Sequence, residues 1–231
     1  MRGIRARVGL VFACACLFGC AQTRTWSYTP EPRSTASPTV NKTLVVLPFE
    51  DHRKNENDNL IGLYMIPLMP YGWADFETPE GPQMHITSGL WQFRPSDDLS
   101  RAVAQEIENA RVFRETFVGN RPSDGDYVLM GEITRTGYHG KIFSYCLSVY
   151  GPLLWFLGLP AAHVSNRLEL RLRIAKSPSD PPIWDYTIDA GDEGTSFLYV
   201  QKADFMYDAL LKKGMTDAVP MLRSAVGSLP P

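Results

Sequence analysis

The sequence predicts an α+β fold: a mainly antiparallel sheet of about five strands with helices packed on one face (β-α-β-β-β-β-α), plus two apolar insertions. Three observations predict it. At 166–175, Leu168, Leu170, Leu172 and Ile174 alternate with Arg167, Glu169, Arg171 and Arg173, the period of a strand with one wet face. Two other stretches, around 99–110 and 203–227, place apolar residues at helical spacing. Finally, 231 residues with 44% apolar and 21% charged side chains suffice for one packed domain and exclude wholesale disorder.

From the amino terminus, residues 1–19 read as a signal peptide. Arg2, Arg5 and Arg7 precede an uncharged run from Val8 to Gly19, long enough for a secretory signal and too short for a helical span of roughly 20 residues. Leu17-Phe18-Gly19-Cys20 resembles the lipobox of bacterial lipoproteins. The resemblance implies cleavage between Gly19 and Cys20 and acylation of the Cys20 thiol and of the new amino terminus. Two or three acyl chains anchor a protein stably, each buried methylene contributing ~0.8 kcal/mol. Ala21, where enteric lipoproteins retained in the inner membrane carry aspartate, favours the outer membrane, at its periplasmic face rather than the cell surface. Residues 20–42 then read as the lipidated cysteine and a flexible tether, because Ser, Thr and Pro fill eleven of the twenty-two positions in 21–42. Of four cysteines, Cys14 and Cys16 leave with the signal and Cys20 is lipidated, so Cys146 has no partner for an internal disulfide.

The folded unit is expected at 43–229, with insertions at about 51–95 and 138–164. Thr43 to Phe49 is a short β-branched apolar run, the mark of a buried strand. Residues 51–95 hold five prolines and no sustained period. Pro95-Ser96-Asp97-Asp98 signals a helix start, with Ser or Asp as N-cap, and the helix face is apolar except at Glu106. Strands follow at 112–118 and 126–136, then the alternating strand at 166–175. Ser177 to Pro182 makes a turn, and Trp184, Tyr186 and Ile188 alternate in a partner strand. In 203–227, Met206, Leu210, Ala218, Leu222 and Val226 form one stripe, interrupted by Gly214 and Pro220, so two helices or one kinked helix fit equally.

The run TLVVLPF, the helix, Gly125-Asp126-Tyr127-Val128-Leu129-Met130-Gly131-Glu132-Ile133, the alternating strand and Pro182-Ile183-Trp184 together resemble a recurring envelope-lipoprotein domain. It is similar to the amino-terminal domain of the Tol-system propeller protein, to the periplasmic part of the curli-secretion channel lipoprotein and to penicillin-binding-protein activator lipoproteins. That resemblance implies an adaptor, a channel component or an activator, and it stops at the two insertions.

Without the signal, 20 basic residues face 25 acidic ones, which argues against nucleic-acid binding. There is no nucleophile elbow, phosphate loop, dinucleotide fingerprint or His-Glu-x-x-His, and His52, His85, His139 and His163 form no ligand pair. Cys146, among Phe143, Tyr145 and Leu147, reads as a buried small hydrophobe rather than a nucleophile. The expectation is no enzyme, no catalytic residue, no metal, no cofactor and no small-molecule substrate. What stands out is apolar: Leu60 to Trp73, and Ile142 to Ala162, which runs twenty-one residues without a charge. Gly151-Pro152 and Gly158-Leu159-Pro160 break a helix there in the middle and near the end, which argues against a membrane span. The second run is therefore expected to form a lobe against 60–73, touching a protein partner or the membrane through Leu63, Ile66, Leu68, Trp155, Phe156 and Leu157, with Trp155 and Phe156 at its tip. The chain reads as a lipid-anchored, non-enzymatic binding or adaptor domain for an envelope partner; the alternative is a membrane-inserting component of an envelope transport or secretion assembly.

Overall fold

A computed structural model describes residues 23–80, 90–201 and 205–228. The signal peptide, its cleavage site at Gly19 and Cys20, and His85 lie outside the described residues.

The fold is organised on one long hairpin. Strand β8 (Tyr127–Phe143) runs antiparallel to β9 (Ala162–Ala175), from Val128↔Ala175 to Ile142↔Ala162. Strand β10 (Trp184–Ser196) continues the antiparallel pairing on the far side of β9. The other edge of β8 is taken up in turn by three strands. Its first residues pair in parallel with β2 (Val40–Val46), which also pairs in parallel with β7 (Phe113–Val118). Next comes the two-residue β3 (Glu50–Asp51), and then β5 (Tyr71–Phe76), antiparallel and itself paired with β4 (Asn57–Leu60). A separate parallel pair joins β1 (Thr23–Thr25) to β6 (Leu90–Gln92).

The main sheet is therefore mixed and has eight strands, where about five, mainly antiparallel, were expected. The reason is a crossover. Strand β2 reaches β7 through helix α1 (Pro95–Asn109), and a strand-helix-strand connection brings its strands in parallel. Leu44, Val45 and Val46 are all fully buried, as a parallel strand covered on both faces must be. Most of the supposed insertions belong to the main sheet: 51–95 supplies the end of β3 and all of β4 and β5, with β6 in the separate pair, and 138–164 supplies the far end of the hairpin.

Helix α1 starts at Pro95, with Arg94 rather than Ser96 or an aspartate as its N-cap. Proline at the first helical position sacrifices no helical hydrogen bond. The Asp98 carboxylate accepts the Arg94 backbone N–H at 2.8 Å. After the five-residue α2 (Pro152–Phe156), helix α3 (Tyr207–Gly227) is one continuous helix with Pro220 inside it. Its buried stripe begins at Tyr207, not Met206. Gly214 lets it lie close to β10, where a Cβ would come within 2.4 Å of Ile188 Cγ2. Leu168, Leu170, Leu172 and Ile174 are fully buried in one continuous core with α1 and α3. Their wet neighbours make a ladder on the other face: Arg167 pairs with Asp189 and Arg171 with Asp185, both bidentate.

The flexible tether expected at 20–42 is instead, from Thr23 onward, a strap laid on the helices. Trp26 stacks near Tyr28 and packs on Phe93, with ring centroids 6.0 and 5.4 Å away. Glu106, the acid on the apolar face of α1, is buried because it holds this strap: it accepts the Tyr28 hydroxyl at 2.6 Å and the Glu31 N–H at 3.0 Å. Arg33 pairs with Glu108, and Lys212 with Glu31. Polar, proline-rich composition misled here because the strap contributes few apolar side chains of its own and is held by pairs with residues distant in sequence.

Candidate functional site

Four strand ends meet at the far end of the hairpin. Tyr71 pairs with Phe143, Ile142 with Ala162, and Ala162 with Ser196. The segments leaving those ends, 60–71, 143–161 and 197–200, therefore gather into one cap, and none of them contains a charged residue. Of the fifteen large apolar side chains exposed among the described residues, thirteen lie in these three segments; Val118 and Met221 are the exceptions.

The cap is built, not loose. The Ser144 and Tyr145 N–H groups both donate to the Pro70 carbonyl, at 2.9 and 3.0 Å, and the Leu68 N–H donates to Cys146 at 3.2 Å. The Ala161 N–H ties the 143–161 segment to the end of β10 through the Ser196 carbonyl at 2.8 Å. Gly151 lies against Ser144 so closely that a Cβ there would sit 2.4 Å from its carbonyl oxygen. Leu68, Tyr145, Cys146 and Ser148 all adopt left-handed φ, between 54° and 69°. Such residues cost of order 1–3 kcal/mol each and persist where the surrounding structure holds them.

The two uncharged runs thus lie against each other. Leu68, Phe156 and Leu157 are its most exposed members of the expected set, at 82%, 64% and 75%, with Ile66 at 48%. Leu63 is half-buried. Trp155 is not at the tip as expected: it is half-buried, and its indole N–H donates to the Phe143 carbonyl at 3.1 Å, closing α2 back onto the hairpin. Cys146 is exposed rather than buried, carried outward by its left-handed turn. Val149, Tyr150 and Leu153 join the exposed surface, as do Phe197, Tyr199 and Val200 from the loop after β10. The last three were missed because their four-residue run shows no period. Register, not composition, brings them to the cap.

Elsewhere, several of the groups that could do chemistry are paired with each other. A cleft of about 460 Å³ on the wet side of the hairpin is lined by Asp75, Glu77, Arg135, His139 and Arg167 among others. In it His139 pairs with Asp75 and Arg135 with Glu77, while Arg167 holds Asp189. Arg53, with only 2% of its side chain exposed, is neutralised by Asp51 and Glu80 and donates to the Thr136 hydroxyl at 2.5 Å. Those hydrogen bonds hold the Asp51 carboxyl below its usual range. The Tyr207 hydroxyl, its pKa raised by complete burial, donates to the Thr136 carbonyl at 2.7 Å. Among the described residues no three His, Cys, Asp or Glu side chains are grouped to hold a metal ion, and no helix is long and apolar enough to cross a membrane.

No family model and no curated protein matches the sequence. Among solved structures, a Xanthomonas campestris protein described under family DUF330 matches at 13% identity and a TM-score of 0.49, over 89% of this chain and 96% of its own. A Helicobacter pylori protein described as a homolog of neuraminyllactose-binding hemagglutinin matches at 7% identity and a TM-score of 0.36, over 86% of this chain and 88% of its own. Neither likeness is close enough to carry an argument about what this chain does.

Proposed function

We propose that this chain is a lipid-anchored cell-envelope protein that works by contact, as a binding or adaptor domain without a catalytic step, and that the cap is its working surface. The observation that carries the reading is the cap's exposure: thirteen large apolar side chains, at the end of a rigid hairpin, with no charge among them. Monomeric soluble proteins seldom leave so much contiguous apolar surface bare, and where they do it marks an interaction site. Anchoring rests on the lipobox-like Leu17-Phe18-Gly19-Cys20, which favours the outer membrane with the domain in the periplasm. Mass spectrometry of the mature amino terminus should find an acylated Cys20; a free Ala21 or Gln22 terminus would remove the anchor from the account.

A second reading, a membrane-inserting component of an envelope transport or secretion assembly, draws on the same cap and on the reach of β8 beyond the helices. Solubility separates the two. A chain beginning at Ala21 should stay in solution without detergent under the first reading and require detergent under the second.

A further inference from the structure

We infer that the cap docks on the surface of a lipid bilayer, entering it to shallow depth rather than seating a protein; this deepens the contact reading above and rests on it. The first ground is how the cap treats its polar groups. A protein interface carries about one hydrogen bond per 100–200 Å² and needs free donors and acceptors to make them. A surface facing hydrocarbon has the opposite requirement, because each unsatisfied polar group there costs several kcal/mol.

The cap meets the second requirement. The Ser144 hydroxyl donates to Met69 at 2.5 Å, the Tyr145 hydroxyl to Pro160 at 2.6 Å, and the Ser148 hydroxyl to Met65, all of them backbone carbonyls. The Trp155 indole is turned inward in the same way. Backbone N–H groups of Leu147, Tyr150, Leu154 and Leu157 are taken up within their own turns. Four more positions, Pro67, Pro70, Pro152 and Pro160, have no N–H to satisfy. Apart from the Tyr150 and Tyr199 hydroxyls and the Cys146 thiol, what the cap turns outward is side-chain hydrocarbon.

The second ground is the collar beneath it. One cross-strand row reads Trp73, Lys141, His163 and Thr195, each paired with the next across β5, β8, β9 and β10. The Lys141 ammonium lies 5.4 Å from the centroid of the Tyr71 ring. Two residues further from the cap, a step of about 7 Å, the equivalent row reads Asp75, His139, Ser165 and Glu193. Apolar cap, then aromatic and cationic collar, then acids is the order that hydrocarbon, anionic headgroup and water would select. The broken helix α2 limits the depth: interfacial elements of this kind enter about 5–10 Å.

Among the described residues every core residue lies between Trp26 and Val226, so a chain beginning at Ala21 keeps them all and removes Cys20. Its partition onto vesicles of phosphatidylethanolamine and phosphatidylglycerol, read by co-sedimentation, is the test. The wild-type chain should bind, and the variant Leu68→Ser, Phe156→Ser, Leu157→Ser should bind at least tenfold less while unfolding at the same temperature. Fluorescence quenching by bromine-labelled acyl chains should fall in Trp155→Phe. Equal binding by wild type and variant, or no binding by either, would overturn the inference. So would a photo-crosslinker at Phe156 that yields a discrete protein adduct, or a dimer of this chain, in place of lipid adducts; the contact reading would then stand and only its lipid occupant would fall.

Discussion

The two halves of the β8–β9 hairpin share one backbone geometry and opposite surroundings. In the near half, Leu168, Leu170, Leu172 and Ile174 lie under α1 and α3 and are wholly buried. At the far end, side chains just as apolar, Leu68, Phe156 and Leu157, are covered by none of the described residues. Pattern separates the two ends. The near half alternates apolar with charged, so each face has an assigned environment. The far end carries no charge on any side and instead holds its shape by backbone hydrogen bonds and left-handed turns. Along this hairpin the alternating apolar residues are buried in the core, and the apolar residues of the uncharged far end are exposed, which is what the proposed contact role draws on.

The comparison breaks most visibly with a core truncation. Leu170→Ala should cost about 2–5 kcal/mol, since it opens a cavity among fully buried neighbours, and urea unfolding reads it. Glu106→Ala should come next, at about 1–3 kcal/mol, because it leaves the Tyr28 hydroxyl and the Glu31 N–H without their acceptor. Limited proteolysis should then cut within 26–34, where the wild type resists. Arg171→Ala, on the wet ladder, should cost under about 1 kcal/mol. Phe156→Ser with Leu157→Ser should change stability by no more than about 0.5 kcal/mol, the range of exposed sites. If those cap substitutions unfold the protein, the far end is a second core and the contrast between the halves fails.

Acid titration sharpens the same contrast. Asp51 and Asp185 have lowered pKa values, held down by hydrogen bonds from Arg53 and Arg171. Each contributes stability that is fully present above the unfolded aspartate value of about 3.9. That contribution is lost as the pH falls through the lower folded-state values. Denaturation midpoints should therefore drop below about pH 4, less so in Arg171→Ala, while the uncharged cap contributes nothing to the change.

Much of the near half was legible because it obeys local rules. The Leu168 to Ile174 alternation, the Trp184 to Ile188 partner strand and the Leu99 to Ile107 face each announce themselves within ten residues. The parallel strands were not legible from the same pattern: Leu44 to Val46 reads as buried, but only the crossover through α1 says which strands flank it. Residues 51–95 hid their strands because β3, β5 and β6 find pairing partners far along the chain, as Phe76 opposite Tyr138 illustrates, and only β4 pairs within the segment. Glu106 looked like a flaw in an apolar face until the strap that it anchors was seen. For the site, the lack of charge in 60–73 and 142–162 pointed to the cap. The inward turn of Trp155 depends on a single hydrogen bond to Phe143 that no spacing rule anticipates.

The most direct measurement of the contact reading uses the two exceptions as controls. Photo-reactive residues would be placed singly at Phe156, Leu157, Val118 and Met221 in cells making the full-length protein. Val118 and Met221 are exposed apolar positions outside the cap, so they match the cap sites in character but not in location. Adducts, lipid or protein, that form from Phe156 and Leu157 and not from Val118 and Met221 are the predicted result. Equal yields from all four positions, or none from the cap, would contradict it.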